Sequence, residues 1–137
     1  MRALLDTCVL IDGLQGREPF RKDSEKIFLA AANEVFTGCI TAKALTDIYY
    51  LMHRFNHSDK DSRTILEKLL SLFELLDTTG IDCQKALISS TSDYEDALMV
   101  ETAIRSRVDC LVTRNEGDFK NYPIPIYSPK EFLKQIV

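Results

Sequence analysis

The tightest constraint on the fold is the run CLVT at residues 110–113, which follows directly on an amphipathic helical segment. A short stretch without charge does not suit a half-solvated strand. It reads as a strand covered on both faces, and such strands belong to parallel sheets. Upstream, Ala97, Val100, Ala103 and Ile104 recur at helical spacing and form an apolar stripe. Ser92 is expected to cap that helix, with acids in its first turn where the helix dipole favours them. Asp96 lies one position before the stripe and on the side of Met99 and Val100, so its carboxylate faces the margin of a buried surface. Residues 114–118 read as the loop leaving the strand's C-terminal end. A helix that feeds a parallel strand runs antiparallel to it. The helix start with Asp96 and the strand end with Asp118 therefore fall on one edge of the sheet.

The same alternation runs through the chain. Apolar runs at residues 3–5, 35–40, 73–76 and 126–127 read as strands, and the first ends on Asp6, the third on Asp77. Between them the periodicity predicts helices over residues 24–33, 62–72 and 83–89, and one capped by Thr41 with Ala44, Leu45, Ile48 and Leu51 or Met52 inward. Residues 13–23 are expected as loop, with Gly16 and Pro19 as breakers, and residues 54–59 as a polar break. Ser128-Pro129-Lys130-Glu131 is a capping box that opens a terminal helix. Strands alternating with helices predict an α/β fold, a parallel sheet with helices on both faces, and 137 residues suit one domain spanning 1–137.

In such sheets ligands bind beyond the carboxyl ends of the strands, where the strand order reverses. Asp6, Asp47, Asp96 and Asp118 all follow or flank strand ends on that rim. Each has a structural reading by itself: Asp6 as the N-cap of a turn over residues 8–14, Asp47 as a solvated helix acid. Four such coincidences on one rim point instead to a site. Gathered carboxylates repel, and at least one pKa should rise in their company. Hard divalent cations relieve the repulsion, so Mg²⁺ or Mn²⁺ is the expected cofactor. One or two such ions suit phosphodiester hydrolysis by an activated water. No phosphate-binding glycine loop, serine-nucleophile motif or dinucleotide fingerprint competes for the chemistry.

The remaining composition excludes other classes. A formal charge of −4 argues against a basic nucleic-acid coat, though bound cations would offset a local acid cluster. Cys8, Cys39, Cys83 and Cys110 are scattered, without zinc spacing, and read as small buried hydrophobes. His53 and His57 read as surface residues. No apolar run is long enough to span a bilayer, and Met1-Arg2 leads straight into a strand, so the expected location is the cytoplasm.

Four stretches carry a family resemblance: LLDTCVLID at residues 4–12, ITAKALTDIYYL at 40–51, DYEDALMVETA at 93–103 and LVTRNEGDF at 111–119. Together they make the chain similar to PIN-domain proteins, in particular to the VapC-type toxin ribonucleases of toxin–antitoxin pairs. The resemblance implies a three-layer α/β/α sandwich with a central parallel sheet of four to five strands. It implies Mg²⁺ or Mn²⁺ binding and endoribonuclease activity on single-stranded RNA. It places metal-holding acids at Asp6, Asp96 and Asp118 and the second acid at Asp47, with Thr7, Thr113 and Asn115 as supporting polar residues. An antitoxin partner and a homodimer follow from the resemblance only.

Two positions depart from the family pattern. The second acid is usually Glu, so Asp47 has a shorter reach, and Cys8 stands where Asn is common. Asp93 is either an accessory acid or a helix-start residue. Arg54, Arg105, Arg107, Arg114 and Lys120 are candidates for phosphate contact. Two rival readings stand beside the enzyme. One is a PIN-like module that binds RNA or protein with little or no catalysis. The other is a receiver-like phosphoacceptor using Asp77, with Thr113 and Lys130 as its switch residues.

Overall fold

The computed structural model describes residues 1–55, 57–89, 93–119 and 122–137, apart from the side chain of Asp118. The chain alternates β1 (Arg2–Leu5), α1 (Thr7–Gln15), α2 (Arg21–Ala32), β2 (Thr37–Thr41), α3 (Ala42–Arg54), α4 (Asp59–Leu72) and β3 (Glu74–Leu76). Then follow α5 (Gly80–Leu87), α6 (Tyr94–Arg105), β4 (Cys110–Val112), a 3₁₀ turn (Glu116–Phe119), β5 (Ile126–Tyr127) and α7 (Pro129–Gln135). The five strands pair in parallel throughout, in the order β3-β2-β1-β4-β5. This is the α/β/α sandwich expected, with the larger strand number.

Strand pleating decides which helix covers which face. Ala3, Leu5, Ile40, Cys110 and Val112 point into one core with Val9, Leu10 and Ile11 of α1, Ile27 of α2, Ile48 and Met52 of α3, Leu69 of α4 and Phe132 of α7. Leu4, Cys39, Leu76 and Leu111 point to the opposite face, against Val100 and Ala103 of α6. α5 packs outside α6, where Ala86 meets Ala97 and Leu98. With both faces covered, Ala3, Leu4 and Leu5 of β1 are apolar on both sides, for the reason the sequence suggested.

The order reverses at β1. From it the chain builds outward through β2 and β3, then returns to add β4 and β5 on the other side. The crevice between the ends of β1 and β4 is therefore the switch point where such sheets bind ligands. The same order excludes the receiver-like reading, because a receiver places its third strand in the middle of an order 2-1-3-4-5. Here β3 is an edge strand, and Asp77 after it is exposed.

Several boundaries differ from expectation. The loop expected over residues 13–23 is confined to residues 16–20, which hold Gly16 and Pro19. α1 continues through Gly13 to Gln15, and Gly16 ends it in a left-handed conformation at φ 63°. Gly13 lies inside α1 and permits close packing: a Cβ there would lie 3.1 Å from the Phe28 ring of α2. α2 starts at Arg21, ahead of the expected residue 24. α4 starts at Asp59 because Ser58 caps it, and α5 starts at Gly80 because Thr79 and Asp82 form a reciprocal capping box. β2 begins later, at Thr37. Ser92, expected to cap α6, lies outside the described residues, and the cap observed is Asp93. All four cysteines are free. Cys39 and Cys110 are buried in strands, whereas Cys8 and Cys83 are only partly buried.

Candidate active site

One step beyond the last paired residues of β1 and β4, Leu5 and Val112, stand Asp6 and Thr113. The Asp6 backbone N–H donates to the Val112 carbonyl at 2.9 Å, which extends the sheet by one rung. The Thr113 hydroxyl then donates to Asp6 Oδ2 at 2.7 Å, and the Asn115 N–H donates to the Thr113 oxygen at 3.1 Å. Thr113 is fully buried, so this chain of bonds holds the Asp6 carboxylate from behind. Asp6 occupies the N-cap position of α1, yet its carboxylate makes no capping bond there. Its carboxylate therefore does not serve as a helix cap.

Cys8 lies beside the same bond. Its Sγ is 3.8 Å from Thr113 Oγ1. Burial, and then the Asp6 charge, push the thiol pKa up to about 11. It is therefore protonated at neutral pH, and with the Thr113 proton committed to Asp6 the thiol is the donor of this weak contact.

A cavity of about 540 Å³ opens at this edge, and Asp6 and Thr7 of the β1–α1 junction, Thr41 and Asp47 of β2–α3, and Asp96 of α6 all line it. Each acid comes from a different element. Asp47 reaches it one turn and a half into α3, a helix started by Thr41, whose side chain accepts from the Ala44 N–H. Asp96 sits in the first turn of α6. Asp93 caps that turn by accepting from the N–H groups of Glu95 at 2.8 Å and Asp96 at 3.3 Å. Asp93 is thus a helix-start residue. Asn115 is exposed and enters the network through its backbone. Asp118 lies in the 3₁₀ turn that follows β4, with its side chain outside the described residues.

The cavity also holds Lys43 and Tyr50, for which the sequence carries no expectation, and Arg54, one of the candidates for phosphate contact. Lys43 donates to Asp47 Oδ2 at 2.7 Å and also pairs with Glu95 of α6. Tyr50 and Arg54, one helical turn apart on α3, are exposed and line the cavity mouth. The Lys43–Asp47 pair carries a legible i,i+4 spacing. The approach of Glu95 depends on packing between distant segments and has no sequence signal.

Among the described residues, no three histidine, cysteine or carboxylate side chains group closely enough to hold a metal ion. Carboxylates line the cavity, and no histidine or cysteine is among the described residues that line it, which suits Mg²⁺ or Mn²⁺ rather than zinc.

Two of the arginines considered for phosphate contact have structural partners. Arg105 donates to both oxygens of Asp82 and to the Asp77 carbonyl, clamping α5 against α6. Arg114 lies 2.9 Å from Asp12 Oδ2 and stacks over Phe20 at 4.4 Å. Asp12 is fully buried in α1; burial raises its pKa, and the charges of Arg114 and Arg17 pull it partly back. Lys120 lies outside the described residues.

A three-layer α/β fold with acids from three elements lining one cavity at the carboxyl edge of its sheet is the class of protein that the geometry defines. A family model, the PIN domain, matches residues 2–117, and the chain belongs to that family. A search of curated protein sequences gives no match. Among solved structures, VapBC2 from Rickettsia felis, bound to a DNA fragment from its promoter, is 20% identical with a TM-score of 0.67, covering 93% of this chain and 98% of that one. A toxin–antitoxin complex from Klebsiella pneumoniae is 23% identical with a TM-score of 0.68, covering 93% and 97%. VapC20 from Mycobacterium tuberculosis, a toxin that cleaves the sarcin–ricin loop, is 9% identical with a TM-score of 0.68, covering 88% and 95%. At these identities the likeness speaks to the fold.

Proposed function

We propose that this chain is a divalent-metal-dependent endoribonuclease that hydrolyses phosphodiester bonds of single-stranded RNA, acting in the cytoplasm as the toxin of a toxin–antitoxin pair. The observation that supports it most is the meeting of Asp6, Asp47 and Asp96, from three separate elements, around one cavity at the switch point of the sheet. Membership of the PIN family and the fold of the toxin chains point the same way.

Asp6 and Asp96, with Asp118 as the third ligand, would hold Mg²⁺ or Mn²⁺. Such an ion, when bound, lowers the pKa of a water and stabilises the leaving oxygen. The chain's own residues prepare the site. Thr113 fixes the rotation of the Asp6 carboxylate, and the Asp93 cap fixes the turn that carries Asp96. Tyr50 offers an exposed ring for base stacking and Arg54 a charge for a phosphate, a combination suited to single strands. The Klebsiella and Rickettsia neighbours are complexes, which supports an antitoxin partner here; a homodimer is the assembly that accompanies this reading.

The test is cleavage of labelled single-stranded RNA with Mn²⁺ by the wild type, Asp96→Asn and Asp77→Asn. Asn keeps the size of Asp without its charge, so Asp96→Asn should lose cleavage, while Asp77→Asn should retain it. A wild type that binds RNA without cutting it would favour the binding module instead. Cleavage that survives both Asp96→Asn and chelation would leave the assignment without support.

A further inference from the structure

Lys43 is a charged residue of the cavity to which the nuclease reading gives no role. It lies in the first turn of α3, where the helix dipole disfavours a cation, so helix preference does not explain it. Its backbone N–H donates to Thr78 Oγ1 at 3.3 Å, which ties this turn to the loop after β3. Its ammonium spans the cavity wall, donating to Asp47 Oδ2 at 2.7 Å and to Glu95 Oε1 of α6. Burial alone would lower its pKa, but the bonds to Asp47 and Glu95 outweigh that and raise it, so the group stays charged.

Asp47 therefore already has a cation. A two-metal hydrolase needs carboxylates free to bind ions about 3.5–4 Å apart. A second ion on the Asp47 side would stand against the ammonium, and like charges repel strongly in a partly buried site. We propose that Lys43 is a built-in counter-ion that fills the Asp47 side of the cavity, so that the site takes a single divalent ion, at Asp6 and Asp96. This rests on the nuclease reading and deepens it. Asp47 becomes a positioning residue that acts through Lys43, not a metal ligand.

The experiment counts Mn²⁺ bound to the intact protein, by titration calorimetry and native mass spectrometry. Wild type is compared with Lys43→Met, Lys43→Arg and Asp47→Asn. Lys43 is only partly buried, so Lys43→Met, which keeps the stem and loses the charge, opens no cavity. Wild type, Lys43→Arg and Asp47→Asn should each bind one ion, and Lys43→Met should bind two. Two ions on the wild type, or one on a folded Lys43→Met, would overturn the proposal and leave the nuclease reading intact. A wild type that binds no Mn²⁺ would overturn the metal-dependent reading itself, and this inference with it.

Discussion

Asp12 shows what a single buried charge does here. It contributes nothing to the cavity, yet it is fully buried and holds Arg114, the residue immediately after Thr113. Removing one partner of a buried pair leaves the other charge uncompensated. Asp12→Ala should therefore lower unfolding stability by about 3 kcal/mol in a denaturant titration. It should also weaken RNA cleavage, because the segment that bonds Asp6 loses its anchor. Thr113→Val keeps the side-chain shape and removes the hydroxyl that Asp6 accepts from. It should cost about 1–2 kcal/mol of stability, with a larger fractional loss of cleavage rate than of RNA affinity. The positions of Asp6, Asp47 and Asp96 at one rim were legible, because strand and helix polarity follow from the order of apolar runs. The pairings of Asp12 with Arg114 and of Lys43 with Glu95 were not, because each joins segments whose approach depends on how helices pack.

Among the elements, α5 and α6 are joined by Asp82. It closes the capping box of α5, accepts from Thr102 of α6 at 3.2 Å and receives Arg105. Burial by itself would raise its pKa, but the bonds from Arg105 and Thr79 outweigh burial and hold the carboxyl below the ordinary carboxylate value. As pH falls, the unfolded chain takes up this proton first. The stability from Asp82 is thus complete above about pH 4 and is lost as pH falls through the lowered folded value. Asp82→Asn should cost about 2 kcal/mol at pH 7, and its melting curve should approach that of the wild type in acid. The cap of α6 is separable from this clamp: Asp93→Ala should cost about 1 kcal/mol. The start of α5 is not legible in the sequence, because Thr78-Thr79-Gly80 also suits a turn and the chain alone does not show that Asp82 will be buried to complete the box. α1 was cut short for a related reason: Gly13 signals a break in sequence but serves close contact with Phe28.

At the scale of the molecule, the parallel sheet was readable because its strands, β1 and β4 above all, centre on short apolar runs, and both faces had to be covered. The order β3-β2-β1-β4-β5 was not, since alternation is compatible with several orders. That order sets the function proposed, because it brings Asp6 of β1 next to the end of β4 and under the start of α6. Among the described residues, no helix is long and apolar enough to cross a membrane. If ions bind the native cavity and not the unfolded chain, free Mn²⁺ at a hundred times its dissociation constant should add about 2.7 kcal/mol of stability over chelator. The most direct test is to locate the ion. Anomalous scattering from crystals grown with Mn²⁺ should show a peak held by the carboxylates of Asp6 and Asp96, and the peak should vanish in Asp96→Asn. Crystals saturated with Mn²⁺ that show no peak in this cavity, or a peak that persists without Asp96, would contradict the account.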